Sequence, residues 1–406
     1  MYNVLFVVLF VCVAYSFKQP FPYLEKPYII AHRGSRVLAP EATIMAFETA
    51  LSLGAHVLEF DVRITSDNVL VVFHDELLDR TTDASGSVRS RSYDQLQLMD
   101  AAHKFTPINN PGQSPHRGSG IKIPSLSQVL QHFWGAKPSK ITSDRKAVNF
   151  NIEIKDKDSL AVTKLIEEFE KYRTSDWVKA GFKVDNHILV CSKYGSVMDE
   201  LGKKSTIPTC ASETDCMKIL IPSLILTSYP VLTPIHHMFS REEPRFCAYS
   251  IPSRFSKLDF SNIDFMRTMR SQTDRNDLQI HYWVVNDSEG IQNLIEIGAD
   301  AIITDRTDVA VKVFKRMNVY KEVQLEDWTR SMKGIADKVR SDQLTYGDDV
   351  QDLVSIHLCN SPVCYVIENF QLLLVGVIVM SFVCFYQLCY CCYYPIGNTI
   401  NKIKKD

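Results

Sequence analysis

What this chain has little of narrows its class before any motif is read. It has no excess of positive charge: 45 Lys and Arg stand against 47 Asp and Glu, a net of −2. A nucleic-acid partner calls for a strongly basic balance or stripe, so that class is excluded. There is no internal repeat and no low-complexity tract, and the chain is read as ordinary globular sequence. Its 11 cysteines never take the spacing of a zinc site. Towards each end of the chain one stretch lacks charge altogether. Residues 3–17, NVLFVVLFVCVAYSF, are too short to span a bilayer, which takes about 20 apolar residues, and no basic residue precedes them. With small residues at Ala14 and Ser16 they fit a signal peptide over 1–16, or a short N-terminal anchor. Residues 370–394, FQLLLVGVIVMSFVCFYQLCYCCYY, run for 25 residues without Lys, Arg, Asp or Glu, enough to cross with some tilt.

Lys402, Lys404 and Lys405 follow that run, and the positive-inside tendency puts the tail 395–406 in the cytosol. The expectation is a single-pass type I membrane protein whose main domain is lumenal or extracellular, with 317–369 as a juxtamembrane spacer. The closing NKIKKD is similar to a dilysine retrieval signal, which points to the endoplasmic reticulum. Cys12 lies in the first apolar stretch. Cys384, Cys389, Cys391 and Cys392 lie in the second, where palmitoylation is an option. Six remain in the main domain: Cys191, Cys210, Cys216, Cys247, Cys359 and Cys364. Pairs 210–216 and 359–364 are close enough in sequence to bridge, and free buried thiols are the alternative.

Eight short β-rich runs recur: 28–32, 57–62, 69–74, 148–154, 187–192, 206–210, 281–286 and 301–305. Several are continuous in Val, Ile and Leu, as strands covered on both faces are. Helical patterns separate them, at 41–54, 159–173 and 288–299 among others. This alternation over about 280 residues predicts an α/β barrel, a fold of ~250 residues, with a doubly wound sheet as the second option. Residues 78–125, rich in turns, proline and glycine, interrupt it and read as an insertion capping one face.

Charged residues gather where those strands end. His32 and Arg33 follow the first run; Glu59 and Asp61 stand two apart on the second and share a face; His74 and Asp75 end the third; Glu153 and Lys155 end the fourth; Trp283 and Asn286 lie on a late one. Barrel active sites sit at the C-terminal ends of strands. Together these side chains suit phosphate-ester cleavage. Glu59, Asp61 and Glu153 are hard oxygen ligands for one divalent cation, Mg²⁺ or Ca²⁺. Arg33 presents a fork to phosphate and Lys155 a second cation, while His32 and His74 supply an acid and a base near neutral pH.

The ordered blocks AHRG, PEAT, LEFDVRITSDNVLVVFHD, DRTTDASG, IPSL, NIEIK, WVVN and GADAIITD, over residues 28 to 315, resemble the glycerophosphodiester phosphodiesterase family, in particular its membrane-associated eukaryotic branch. The resemblance implies a distorted (β/α)8 TIM barrel with a small inserted subdomain, over about 28–316. It implies catalytic roles for His32 and His74, metal ligation by Glu59, Asp61 and Glu153, phosphate contacts from Arg33 and Lys155, and an aromatic wall from Trp283. The implied reaction converts a glycerophosphodiester and water to glycerol 3-phosphate and an alcohol. Lysophospholipase D or phospholipase C-type action on membrane lipid is the alternative, and a catalytically dead scaffold barrel a third. Spider-venom sphingomyelinases D share the residue set but generally lack the long insertion. One position departs from the family pattern: Ala42 stands where Pro-Glu-Asn-Thr has its amide side chain.

Overall fold

The computed structural model describes residues 25–135, 147–230, 244–255, 258–273, 275 and 277–321. The segments read as signal or anchor (1–16), transmembrane helix (370–394) and cytosolic tail (395–406) lie outside the described residues, as does the spacer beyond Lys321. So do Cys12, Cys359, Cys364, Cys384, Cys389, Cys391 and Cys392. Among the described residues no helix is long and apolar enough to cross a membrane.

The main sheet is built from β1 (Tyr28–Ala31), β2 (Val57–Ile64), β3 (Leu70–Val72), β4 (Asn149–Ile154), β5 (Ile188–Cys191), β6 (Ala248–Pro252), β7 (Gln279–Trp283) and β8 (Ala301–Thr304). Its order is β5-β4-β2-β1-β8-β7-β6, with β3 attached to β2. Every neighbour on that path is parallel. The two edges are joined by the short segment around Thr209 and Cys210. Thr209 bridges Val190 of β5 and Cys210 bridges Ala248 of β6, both in parallel register. The Cys210 amide donates to Val190 O at 2.9 Å, and the Cys247 amide to Thr209 O at 2.8 Å. Those bonds link the two edge strands β5 and β6 and close the curled parallel sheet.

Helices cover the outside. Helix Ile44–Leu53 starts where the Thr43 side chain accepts from the Ala46 amide, and it stops at Gly54, whose φ of 106° is a left-handed cap. Helices Ser159–Glu170 and Ser288–Glu296 are capped by Asp158 and Asp287. Phe47, Phe60, Phe133, Trp134 and Phe150 are buried in the layer between helices and strands, while Tyr28, Ile30, Val57, Leu189, Ala248 and Ile303 belong to a second buried cluster. On β1, β2 and β5 neighbouring residues fall in opposite sets, as the two-residue period of the pleat dictates.

Several sequence expectations need correction. The strand at 69–74 is not a barrel stave. Leu70–Val72 runs antiparallel to β2, with Val62 opposite Val72 and Ile64 opposite Leu70. A two-stranded return needs only the tight turn at Ser66–Asn68, whereas a parallel neighbour would need a long crossover. The run 206–210 forms isolated bridges rather than a strand, and Ala248–Pro252, which was not anticipated, supplies a full stave. The late strand begins at Gln279 and ends at Trp283, so Asn286 stands beyond it. Cys210 does not pair with Cys216: it is bonded to Cys191, and Cys216 is a buried thiol. Parallel register explains the switch, because Val190 faces Thr209 and the next pair along is Cys191 and Cys210. No doubly wound sheet forms.

Residues 78–125 carry their own small core. Leu78, Val88, Leu96, Ala101 and Ile123 are buried together with Val71 and Phe73 of the β2–β3 hairpin.

Candidate active site

The chain leaves β1 through three residues with positive φ: Arg33 (50°), Gly34 (75°) and Ser35 (66°). Only glycine fits the middle position. A Cβ on Gly34 would stand 2.8 Å from Ala46 Cβ and from the Ala46 backbone carbon. This tight turn aims the Arg33 amide at Glu59 Oε2, 2.8 Å away. Ala42 also holds a positive φ, of 59°, and its amide donates to Arg33 O at 3.1 Å. The left-handed conformation at position 42 is one that asparagine tolerates better than alanine, which gives the familiar Asn of that motif a backbone reason apart from its amide.

Glu59, Asp61 and Glu153 come together through strand geometry alone. The first two point the same way from β2, and the β2–β4 register sets Asp61 opposite Glu153. One ligand oxygen from each lies within 4.8 Å of the others. Oxygens sharing one hard cation at about 2.0–2.6 Å stand roughly 3–5 Å apart, so the donor set fits Mg²⁺ or Ca²⁺. A second observation supports the fit: Asp61 Oδ2 is buried and accepts no hydrogen bond, an arrangement that calls for a ligand. Lys155 Nζ bridges two members of the set, 3.0 Å from Asp61 Oδ1 and 2.9 Å from Glu153 Oε2. Arg33 Nε approaches Asp61 Oδ2 to 3.4 Å.

Each histidine has a carboxylate behind it. His32 and Asp305 follow β1 and β8, whose parallel register ends at Ala31 and Thr304. Their side chains meet at 2.7 Å, Nδ1 to Oδ1. Asp305 is held in turn by Arg36 Nε at 2.8 Å and Asn286 Nδ2 at 3.2 Å. His74 reaches the rim because β3 folds back along β2, the Phe73 amide donating to Asp61 O at 2.9 Å. Its Nδ1 lies 2.5 Å from Asp75 Oδ1. A carboxylate only accepts, so both rings donate from Nδ1 and keep Nε2 for other work. Sequence reasoning missed Asp305 and Glu41 as site residues. Asp305 carried the usable signal, a charge at the end of an apolar strand. Glu41, which accepts from Arg33 Nη1 at 3.1 Å, carried only its place in the PEAT block. Trp283 ends β7 and is 43% exposed.

Charges are unevenly settled. Burial alone would raise Asp61, but Lys155, His74, Arg33 and His32 hold it below the usual carboxylate range. Glu59 goes the other way, well above that range, through burial and the neighbouring Asp61 charge. Burial also opposes Asp305, yet His32 and Arg36 keep it ionised. His32 is lowered by burial and by Arg33, against the pull of Asp305.

A pH dependence of stability follows. Burial lowers His187 and His281 to about 4, and it lowers His32 and His56 as well. These rings are protonated in the unfolded chain below about 6.5 while the fold still holds them neutral. Their contribution is whole above pH 6.5 and is lost as pH falls towards 4, by roughly 1–3 kcal/mol for each of His187 and His281. Glu59, raised in the fold, opposes them. The expected outcome is a melting temperature that drops steadily between pH 7 and pH 4.5; a flat profile would contradict the assignment.

Residues 32–309 match the family described as "Glycerophosphoryl diester phosphodiesterase family". A glycerophosphodiester phosphodiesterase of Bacillus altitudinis is 29% identical over 289 residues, 71% of this chain and 98% of the relative. A human lysophospholipase D is 26% identical over 285 residues, 68% of this chain and 82% of the relative. Among solved structures, the glycerophosphoryl diester phosphodiesterase domain of a Mycobacterium tuberculosis protein aligns with a TM-score of 0.53 at 18% identity, covering 70% of this chain and 98% of that one. An Oleispira antarctica phosphodiesterase in complex with the product sn-glycerol-3-phosphate aligns at 0.50 and 19%, covering 71% and 97%.

Proposed function

This chain belongs to the glycerophosphoryl diester phosphodiesterase family, and on that premise we propose that it hydrolyses glycerophosphodiesters to glycerol 3-phosphate and an alcohol with the help of one divalent cation, Mg²⁺ or Ca²⁺. The observation that carries the reading is the juxtaposition of three carboxylates with two histidines, each backed by its own aspartate. Glu59, Asp61 and Glu153 would hold the cation. When bound, it supplies charge neutralisation at the phosphoryl oxygens. Arg33 and Lys155 bind and orient the phosphate. One histidine takes a proton at Nε2 from the attacking water as the new P–O bond forms. The other gives a proton to the departing alkoxide as the ester bond breaks. His32, kept neutral by burial, suits the base. The product held by the Oleispira phosphodiesterase supports the same bond being cut.

A second reading, lysophospholipase D action, is favoured by the exposed Trp283 and Leu77, 43% and 50% accessible, and by the human relative of that name. Trp283 would then flank an acyl-bearing glycerol. The test is a product assay on the purified chain, with Mg²⁺ and with Ca²⁺, against glycerophosphocholine and lysophosphatidylcholine. Release of glycerol 3-phosphate from the first supports the main reading. Turnover of the lysolipid alone favours the second, and no product from either under both metals removes both.

A further inference from the structure

Arg80 belongs to the insertion, not to a barrel strand. It ends the single turn Leu78–Arg80. That turn is well anchored. Leu78 is fully buried, its amide donates to Gly86 O at 2.9 Å, and the Gly86 amide donates back to Asp79 Oδ2 at 3.1 Å. From this base the guanidinium grips two carboxylates at once. Nε and Nη2 donate to Asp75 at 2.5 and 3.2 Å. Nη1 and Nη2 donate to Glu41 at 2.8 and 2.7 Å. Asp75 is the partner of His74, and Glu41 accepts from Arg33. His74, Asp75, Arg80, Glu41 and Arg33 thus form an unbroken chain of hydrogen-bonded polar groups.

A lone ion pair at 38% side-chain exposure would contribute little. A planar fork shared between two carboxylates is different, because its geometry is directional and a lysine cannot copy it. Glu41 and Asp75 are themselves only 12% and 24% exposed, so each is held from one side by the arginine and from the other by a site residue.

We propose that Arg80 is a positioning residue for the reaction: through Asp75 it fixes the ring of His74, and through Glu41 it fixes the guanidinium of Arg33. One side chain of the insertion thereby orients a proton-transfer group and a phosphate-binding group together. This rests on the roles given to His74 and Arg33 above. The experiment is a double-mutant cycle on the whole chain, using Arg80→Ala, Asp75→Asn and their combination, with thermal melting followed in parallel. Arg80→Ala is expected to lower kcat by roughly 10²-fold, the usual size for a small misplacement of reacting groups. The double variant is expected to lose little more than the worse single one. Guanidinium chloride well below denaturing concentration should restore part of the Arg80→Ala activity and none of that of His74→Ala. Wild-type kcat in Arg80→Ala, or losses that simply multiply in the double variant, would overturn the proposal. If Arg80→Ala does not fold, Arg80→Lys keeps charge and bulk; wild-type kcat there is equally fatal. Activity surviving in His74→Ala would instead sink the functional reading on which this one stands.

Discussion

Exhaustive chelation is expected to abolish turnover, and re-addition of Mg²⁺ or Ca²⁺ to restore it. Two buried carboxylates at i and i+2 on one strand, with a half-buried third set opposite by register, repel one another. Lys155 answers part of that charge and Arg33 another part, yet Asp61 Oδ2 still accepts no hydrogen bond. Substitution of any of the three should weaken metal binding by more than the ~10–100-fold that follows loss of a mere supporting partner. Asp61→Asn should have the largest effect, since Asp61 touches both cations and faces Glu153. Calorimetric titration of the metal into each variant checks this without relying on activity. Full turnover after exhaustive chelation would take the cation out of the mechanism.

The second large effect concerns His32. Replacing it with alanine should lower kcat by at least ~10²-fold, as loss of a general acid or base does, while binding of a non-hydrolysable diester survives. Asp305→Asn should approach the same loss with His32 intact. The carboxylate obliges Nδ1 to donate, leaving Nε2 to accept a proton; an amide can satisfy Nδ1 in either tautomer, so the ring loses that instruction. The same substitution also sets an amide nitrogen where either Arg36 or Asn286 now finds an accepting oxygen. Near wild-type kcat in Asp305→Asn would show that His32 needs no orienting carboxylate, and in His32→Ala that it transfers no proton.

Much of this site could be read along the chain, for a simple reason. A charge at the end of an apolar strand is costly unless something engages it, so His32, Glu59, Asp61, His74, Glu153 and Lys155 stood out against their Val- and Ile-rich surroundings. The two-residue period alone put Glu59 and Asp61 on one face. The alternation of such strands with helical patterns was enough to predict an α/β barrel, with a doubly wound sheet as the second option.

Other features were decided only in three dimensions. The five residues between Ile64 and Leu70 are too few for a parallel crossover and dictate a return, but the register of that return, which delivers His74 beside Asp61, is set only by the pairing of β3 with β2. The eighth stave, legible as the β-rich run 206–210, shrinks to a few backbone bonds at Thr209 and Cys210, and its register rather than sequence proximity joined Cys210 to Cys191. Asp305 meets His32 across 273 positions, and Arg80 meets Glu41 across 39. Local patterning follows from what a single segment must bury. Which distant side chains then become neighbours is set by strand register and ring closure, properties of pairs of segments that neither segment carries by itself.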